Sequence, residues 1–322
     1  MRRLLTIILL FSFYLPLTQA QSYREDTVYI QPNGHRLGGV IMTPSTKKNR
    51  FPAVLIIQGS GPTDKDGNSA ALTGKNNSLK LLAEALASEG IASLRFDKRG
   101  LGLSGDAAIP ENELVFDDFV NDAQAWLDYM IEERRFRSIG IAGHSQGSLI
   151  GMRLAQTKGV KAFASISGPS LTIDETILTQ IKANPFNPAN IIQEAKDIFK
   201  ELSNGETVDT IPPYLLSVFR PSIQPFMMSW MKYDPLIEIE TLDIPILVIS
   251  GSTDLQVSVE DTQRLQIANP KASLKIIDGM NHILKNSSAN TNENVASYSN
   301  PDLPLNQEFK ESISEFFNTH IK

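Results

Sequence analysis

No cysteine occurs among the 322 residues. That excludes a disulfide framework, a thiol nucleophile, an iron–sulfur cluster and any zinc site built on thiolates. Histidine is scarce too, with four residues at 35, 144, 282 and 320. They are scattered and form no H-E-x-x-H pair, so neither a metal nor another cofactor is expected. Positive charge is in deficit: 30 Lys and Arg stand against 36 Asp and Glu, a net charge of −6, with no basic run. A nucleic-acid partner calls for a basic face, so none is expected. The longest apolar run, Leu4 to Leu17, falls short of the ~20 residues that a membrane span needs.

That run follows Arg2 and Arg3 and precedes Thr18-Gln19-Ala20. A basic start, a short apolar core and a small residue before the cut form the secretory signal pattern. The expectation is that residues 1–20 are a signal peptide. The mature chain is then periplasmic or secreted, with no stable membrane span; an uncleaved anchor is the alternative. No cysteine follows the cut, which excludes lipid attachment there. Oligomeric state is not legible.

What is present is a soluble composition, 41% hydrophobic and 20% charged, long enough for a large domain with an insertion or for two domains. Short β-branched runs alternate with longer amphipathic ones. "DTVYIQ" and "LGGVIMTP" flank an Asn33-Gly34 turn and read as a hairpin. "FPAVLIIQG", "IASLRFD", "RSIGIAG", "KAFASISG", "IPILVISG" and "ASLKIID" read as buried strands. Helical patterns separate them, including Ser78 to Gly90 with Gly90 as its stop. The pattern "FDDFVNDAQAWLDYMIEER" carries its acids early and Arg134 and Arg135 late, as a helix dipole favours. This alternation predicts an α/β fold with a mostly parallel sheet covered on both faces. The core is expected in residues 21–170 and 243–322. Residues 171–242 lack a clear strand, contain many prolines and read as a helical cap insertion. The polar stretch "KNSSANTNENVASYSNPDLP" reads as a surface loop.

The chemistry-bearing motif is Gly143-His144-Ser145-Gln146-Gly147, which fits G-x-S-x-G between a strand and a helix. A sharp strand-to-helix turn with small flanking residues exposes the serine hydroxyl at the end of the sheet. A serine needs a base, and the base needs an orienting acid, in the chain order Ser, Asp/Glu, His. Asp254 follows the strand "ILVISG", and His282 follows the next strand. His35 sits in the hairpin turn and His320 near the tail. His144 adjoins the serine, where neighbouring side chains point apart. Elimination leaves His282 as the base, so Ser145, Asp254 and His282 are the candidate catalytic residues.

With these motifs the chain resembles the α/β-hydrolase superfamily, and within it bacterial serine esterases carrying a Gly-Ser-Gly-Pro-x-Asp-x-Asp-Gly loop. The matching stretches are "GSGPTDKDG", "FDKRGLGLSG", "GHSQG" and "GMNH". The resemblance implies a carboxylic-ester hydrolase with the triad Ser145, Asp254 and His282, acting on small-molecule ester or acyl substrates. An exported serine peptidase on the same scaffold is the alternative, and an inactive binding protein a third reading. Many relatives carry histidine where this chain has Gln58.

The loop "QGSGPTDKDGN" admits three readings. A phosphate cradle needs glycine at the sixth position, where Asp64 stands. A calcium loop needs twelve residues ending in Glu. The remaining reading is an oxyanion hole, with the Ser60 and Gln146 main-chain N–H groups as donors. Asp64 and Asp66 are expected to cap a turn or pair with Arg99, and Arg99 to pair with Asp97 or this loop. In the insertion, Tyr214, Phe219, Phe226, Met227, Met228, Trp230 and Met231 form an apolar set. It reads either as packing between insertion and body or as an acyl-binding wall.

Overall fold

Two strands, β1 (Tyr23–Ile30) and β2 (Leu37–Pro44), form the predicted antiparallel hairpin. Its turn places Asn33 at φ 50° and Gly34 at φ 82°, a region these two residue types tolerate. The chain continues through β3 (Phe51–Ile57), α1 (Ser78–Ser88), β4 (Ala92–Phe96), α2 (Phe116–Glu132), β5 (Phe136–His144), α3 (Gln146–Ala155) and β6 (Val160–Ile166). Five helices follow: α4 (Ile173–Ala183), α5 (Ala189–Ser203), α6 (Leu216–Phe219), α7 (Gln224–Trp230) and α8 (Pro235–Glu240). Then come β7 (Ile246–Gly251), α9 (Val259–Ala268), β8 (Ser273–Ile277), α10 (Thr291–Ser297) and α11 (Gln307–Ile321). This computed structural model describes residues 23–183 and 187–322. The expected signal peptide, residues 1–20, lies outside the described residues.

The eight strands make one sheet in the order β1-β2-β4-β3-β5-β6-β7-β8. Every pairing from β4 to β8 is parallel, and β2 joins β4 antiparallel. Alternate residues of β3 face opposite sides. Ala53, Leu55 and Ile57 pack with Trp126 and Leu127 of α2 and Leu149 of α3. Val54 and Ile56 pack with Leu82 and Leu86 of α1 and Phe309 and Phe317 of α11. Both faces are therefore buried, which is why β3 is apolar throughout rather than alternating. The order reverses at β3: the chain leaves β3 for β4 on one side, and β5 begins the other. Open α/β sheets leave a crevice outside the strand C-termini at such a reversal. The loops after β3 and β5 meet there.

Two expectations need correction. The helix α2 stops at Glu132, so Arg134 and Arg135 lie beyond it and do not serve its dipole. Arg135 instead pairs with Asp26 at 2.7 Å and Glu133 at 3.0 Å. The polar stretch near the C-terminus is not all loop, because Asn290 caps α10 by accepting the Asn292 and Glu293 N–H groups. The helix then buries Asn294 and Ser297. A short polar helix carries little hydrophobic periodicity, so hydrogen bonding rather than apolar burial defines it.

Candidate active site

Ser145 follows β5 directly and precedes α3, with φ 55° and ψ −122°. That conformation is strained for a residue with a side chain. It persists because the surroundings demand it. The Ser145 N–H donates to the Ile166 carbonyl at 2.9 Å. A Cβ on Gly143 would drive into the Gly147 carbonyl, and one on Gly147 into the Ile57 carbonyl. The glycines let the turn close, and the closed turn leaves Ser145 half-buried at the mouth of the crevice.

Asp254 and His282 come together from the loops after β7 and β8. His282 Nδ1 lies 2.8 Å from Asp254 Oδ2 and 3.1 Å from Oδ1. Asp254 Oδ1 also accepts the Gln256 N–H at 2.8 Å and the Val257 N–H at 3.0 Å. Burial alone would raise the carboxyl pKa. His282 and the two N–H donors outweigh it and hold Asp254 below the ordinary carboxylate range. A proton on Nδ1 facing this carboxylate leaves Nε2 free to accept another. Ser145 and His282 border one cavity of about 160 Å³, together with Ser60 and His144.

The two loops are braced by groups that the sequence did not single out. Asn294 of α10 donates to the Thr253 carbonyl at 2.7 Å. Asn281 donates to Asn294 at 3.1 Å and to Ser297 at 2.8 Å. A polar helix with no apolar stripe thus ties the residue before Asp254 to the residue before His282. At the end of β7 a Cβ on Gly251 would collide with the Met280 carbonyl, so glycine lets these loops touch.

His144 does not point away from the site. Its Nε2 lies 2.8 Å from the His282 carbonyl oxygen, which can only accept, so Nε2 donates. The two imidazole rings sit 4.7 Å apart. Burial first, then repulsion from His282, lowers its pKa to about 3 and keeps it neutral. It is His282, not His144, that contacts Asp254. The expected divergence of the His144 and Ser145 side chains fails, since both border one cavity.

The loop after β3 lies over the serine turn: a Cβ on Gly59 would stand 3.1 Å from that of Ser145. Asp64 caps its turn by accepting the Asp66 and Asn68 N–H groups, both at 2.9 Å. Asp66 pairs with buried Arg95 at 3.1 Å, not with Arg99. Arg99 reaches α2 instead, bonding Asp122 through Nε at 2.8 Å and Nη2 at 2.5 Å. Asp97 is taken by the Lys65 and Leu103 N–H groups, both at 2.8 Å. The expected Arg99–Asp97 pair fails because Asp97 turns inward to hold its own loop. Gln58 donates to the Phe96 carbonyl at 2.9 Å and so links β3 to β4. Lys98, also unremarked in the sequence, is buried with its Nζ on the Gly59 carbonyl at 2.5 Å and the Gly61 carbonyl at 3.1 Å.

Two larger cavities flank Ser60 and Gln146. One, of about 240 Å³, reaches Ser145 and is walled by Leu149, Leu171, Ile177 and Trp230. The other, of about 350 Å³, runs past Lys98, Leu114 and Phe119 and also reaches Trp230. Trp230 is stacked on Phe116 with ring centres 5.3 Å apart. The apolar set around it divides. Phe219 and Met227 are buried among α5 and α6, and Phe226 belongs to the main core. Tyr214 is half exposed and bonds Glu194.

The chain has counterparts among known proteins. A family model described as serine aminopeptidase, S33, matches residues 74–216, a span that includes Ser145 but neither Asp254 nor His282. The chain is 27% identical over 268 residues to the esterase EstD of Thermotoga maritima, covering 82% of this chain and 61% of that protein. It therefore spans under two thirds of the length of that relative. Among solved structures it is similar to Est1E of Butyrivibrio proteoclasticus with ferulic acid bound, at TM-score 0.63 and 20% identity, covering 91% of this chain and 99% of that one. It is also similar to the acylaminoacyl peptidase of Pyrococcus horikoshii, at TM-score 0.59 and 16% identity, covering 95% of this chain and 43% of that one. The fold is the α/β-hydrolase fold.

Proposed function

We propose that the protein is a serine hydrolase of carboxylic esters, with Ser145 as nucleophile, His282 as base and Asp254 as the orienting acid. The observation that carries this reading is the His282–Asp254 contact at 2.8 Å beside the strained Ser145 turn. Ser145 Oγ attacks the ester carbonyl carbon while its proton passes to His282 Nε2. Asp254 holds the imidazole tautomer and stays ionised. The tetrahedral oxyanion accepts hydrogen bonds from the Ser60 and Gln146 N–H groups. The carbon–oxygen bond to the leaving group breaks, and His282 returns its proton to that oxygen, releasing the alcohol. Water then attacks the acyl carbon, losing a proton to His282; the bond from that carbon to Ser145 Oγ breaks, His282 returns the proton to Oγ, and the carboxylic acid leaves. The acyl group is assigned to the cavity walled by Leu149, Leu171 and Ile177, with helices α4 to α8 as a cap over the crevice.

Ser145→Ala should abolish hydrolysis of p-nitrophenyl esters and labelling by a fluorophosphonate probe; wild-type turnover in that variant would end the assignment. Ser60→Ala should be mild and Ser60→Pro severe, because only proline removes the N–H. Equal effects would move the donor to another residue. Export is proposed from the Arg2-Arg3 and Leu4 to Leu17 pattern, and N-terminal sequencing of the mature protein should begin at Gln21.

An aminopeptidase is the second reading, favoured by the family match over residues 74–216. It would have to hold a free ammonium group, which calls for a carboxylate near the serine. Among the described residues, the two cavities that touch Ser145 are lined without any Asp or Glu, which supports esters. Acyl esters of graded length run beside aminoacyl and prolyl amides separate the two.

A further inference from the structure

We propose that Lys98 is a positioning residue for the oxyanion site, its Nζ fixing the peptide whose N–H belongs to Ser60. The inference rests on the ester-hydrolase reading above.

A trans peptide is planar, and its carbonyl and N–H point in opposite directions. The Gly59 carbonyl and the Ser60 N–H belong to one such unit. With Lys98 Nζ 2.5 Å from the Gly59 oxygen, that plane cannot turn without breaking the bond. The Ser60 N–H is thereby held on the edge away from Lys98, and Ser60 shares its cavity with Ser145. The same ammonium holds the Gly61 carbonyl at 3.1 Å, so both carbonyls flanking Ser60 are pinned. Its third contact is Gln146 Oε1 at 3.3 Å, the side chain of the residue that supplies the second donor. One cation therefore ties together the two chain segments on either side of the oxyanion.

Charge balance points the same way. All three oxygen partners are neutral, and Lys98 makes no ion pair among the described residues. Its side chain also passes 5.0 Å from the Phe119 ring centre. Carboxylates around it are committed elsewhere: Asp122 to Arg99, Glu111 to Arg220, and the adjacent Asp97 to the Lys65 and Leu103 N–H groups. A buried, unpaired cation is costly, and burial lowers its pKa to about 7. That cost falls when an anion forms at the opposite edge of the same peptide, so the charge favours the transition state over the ground state. A cation that served the loop only as a fastener would be better replaced by a neutral donor.

The absence of cysteine allows a decisive test. Lys98→Cys alkylated in denaturant with 2-bromoethylamine and refolded restores an ammonium at lysine length. Alkylation with 1-bromopropane gives the same length with a methyl group instead. These two proteins, Lys98→Met and the wild type are assayed with p-nitrophenyl butyrate and with an arylboronic acid as tetrahedral analogue. The neutral forms should lose roughly 10²-fold in kcat. Their KM should stay within about threefold and their boronate affinity should fall in parallel with kcat. The aminoethyl form should regain most of kcat. Neutral forms with kcat within about threefold of wild type, or losses confined to KM, would overturn the role of Lys98 alone. Neutral forms that lose cooperative thermal unfolding would assign Lys98 to loop stability and overturn it too. An inactive wild type would overturn the ester-hydrolase reading, and this inference with it.

Discussion

The Nε2 of His144 stands 2.8 Å from the main-chain oxygen of His282. The residue ahead of the candidate nucleophile therefore steadies the turn that carries the candidate base, and β5 is coupled to the loop after β8 by one hydrogen bond. His144→Leu removes the donor and leaves a buried carbonyl unpaired, a loss of about 1–3 kcal/mol in stability at neutral pH. Activity should fall about tenfold as the His282 turn loosens, for each ~1.4 kcal/mol moved to the barrier. The pH dependence supplies a second readout. The unfolded chain protonates this histidine near ~6.5, whereas the folded site holds it neutral down to about 3. The unfolded state then binds the extra proton, so wild-type stability drops as pH falls through that window. His144→Leu lacks that slope. Urea midpoints of the two proteins should converge between neutral pH and pH ~4.

Asp254→Asn keeps the shape of the His282 contact but removes the charge that favours a proton on Nδ1. Ester turnover should drop on the order of 10³–10⁴-fold, with little change in KM. The folded Asp254 carboxyl is held below its ordinary range. Its stabilising contribution is present above the unfolded value, ~3.9, and lost as pH falls through the lower folded value. Denaturant titrations should show the wild type ahead at neutral pH and the two proteins drawing together in acid below that value.

Gly147→Ala should destabilise the protein by about 1–3 kcal/mol or more, because the added methyl meets the Ile57 carbonyl and neither backbone can yield. Gly105→Ala is the control: its Cβ would meet nothing within 4 Å. Thermal midpoints should separate the two variants clearly, with Gly105→Ala near wild type.

Trp230 is the wall shared by the two cavities beside Ser60 and Gln146. Trp230→Ala opens one into the other and should shift the preference among p-nitrophenyl esters toward longer acyl chains. It also removes the stack on Phe116, so a stability loss of up to about 3–5 kcal/mol should accompany the change. An unchanged chain-length profile would place the acyl group elsewhere.

Much of this architecture was legible in one dimension, because strand and helix carry different apolar periods. The fully apolar "FPAVLIIQG" announced a strand buried on both faces, and G-x-S-x-G announced a strand–turn–helix that only small residues can close. Asp254 and His282 were legible from their places after successive strands. What escaped was decided by polar contacts between segments far apart in the chain. Asp97 turned toward Leu103, which left Arg99 to find Asp122. Arg95 drew Asp66 from 29 residues away in the numbering. The polar helix α10 formed against the loops it braces.

The sequence by itself determined the order of strands and helices and the residue types able to act, since these follow from local periodicity and from side-chain chemistry. Tertiary structure alone decided which of those residues meet. A parallel sheet brings the loops after β3, β5, β7 and β8 to one edge. There the burial of His144 and Lys98 acquires a direction that no local pattern encodes.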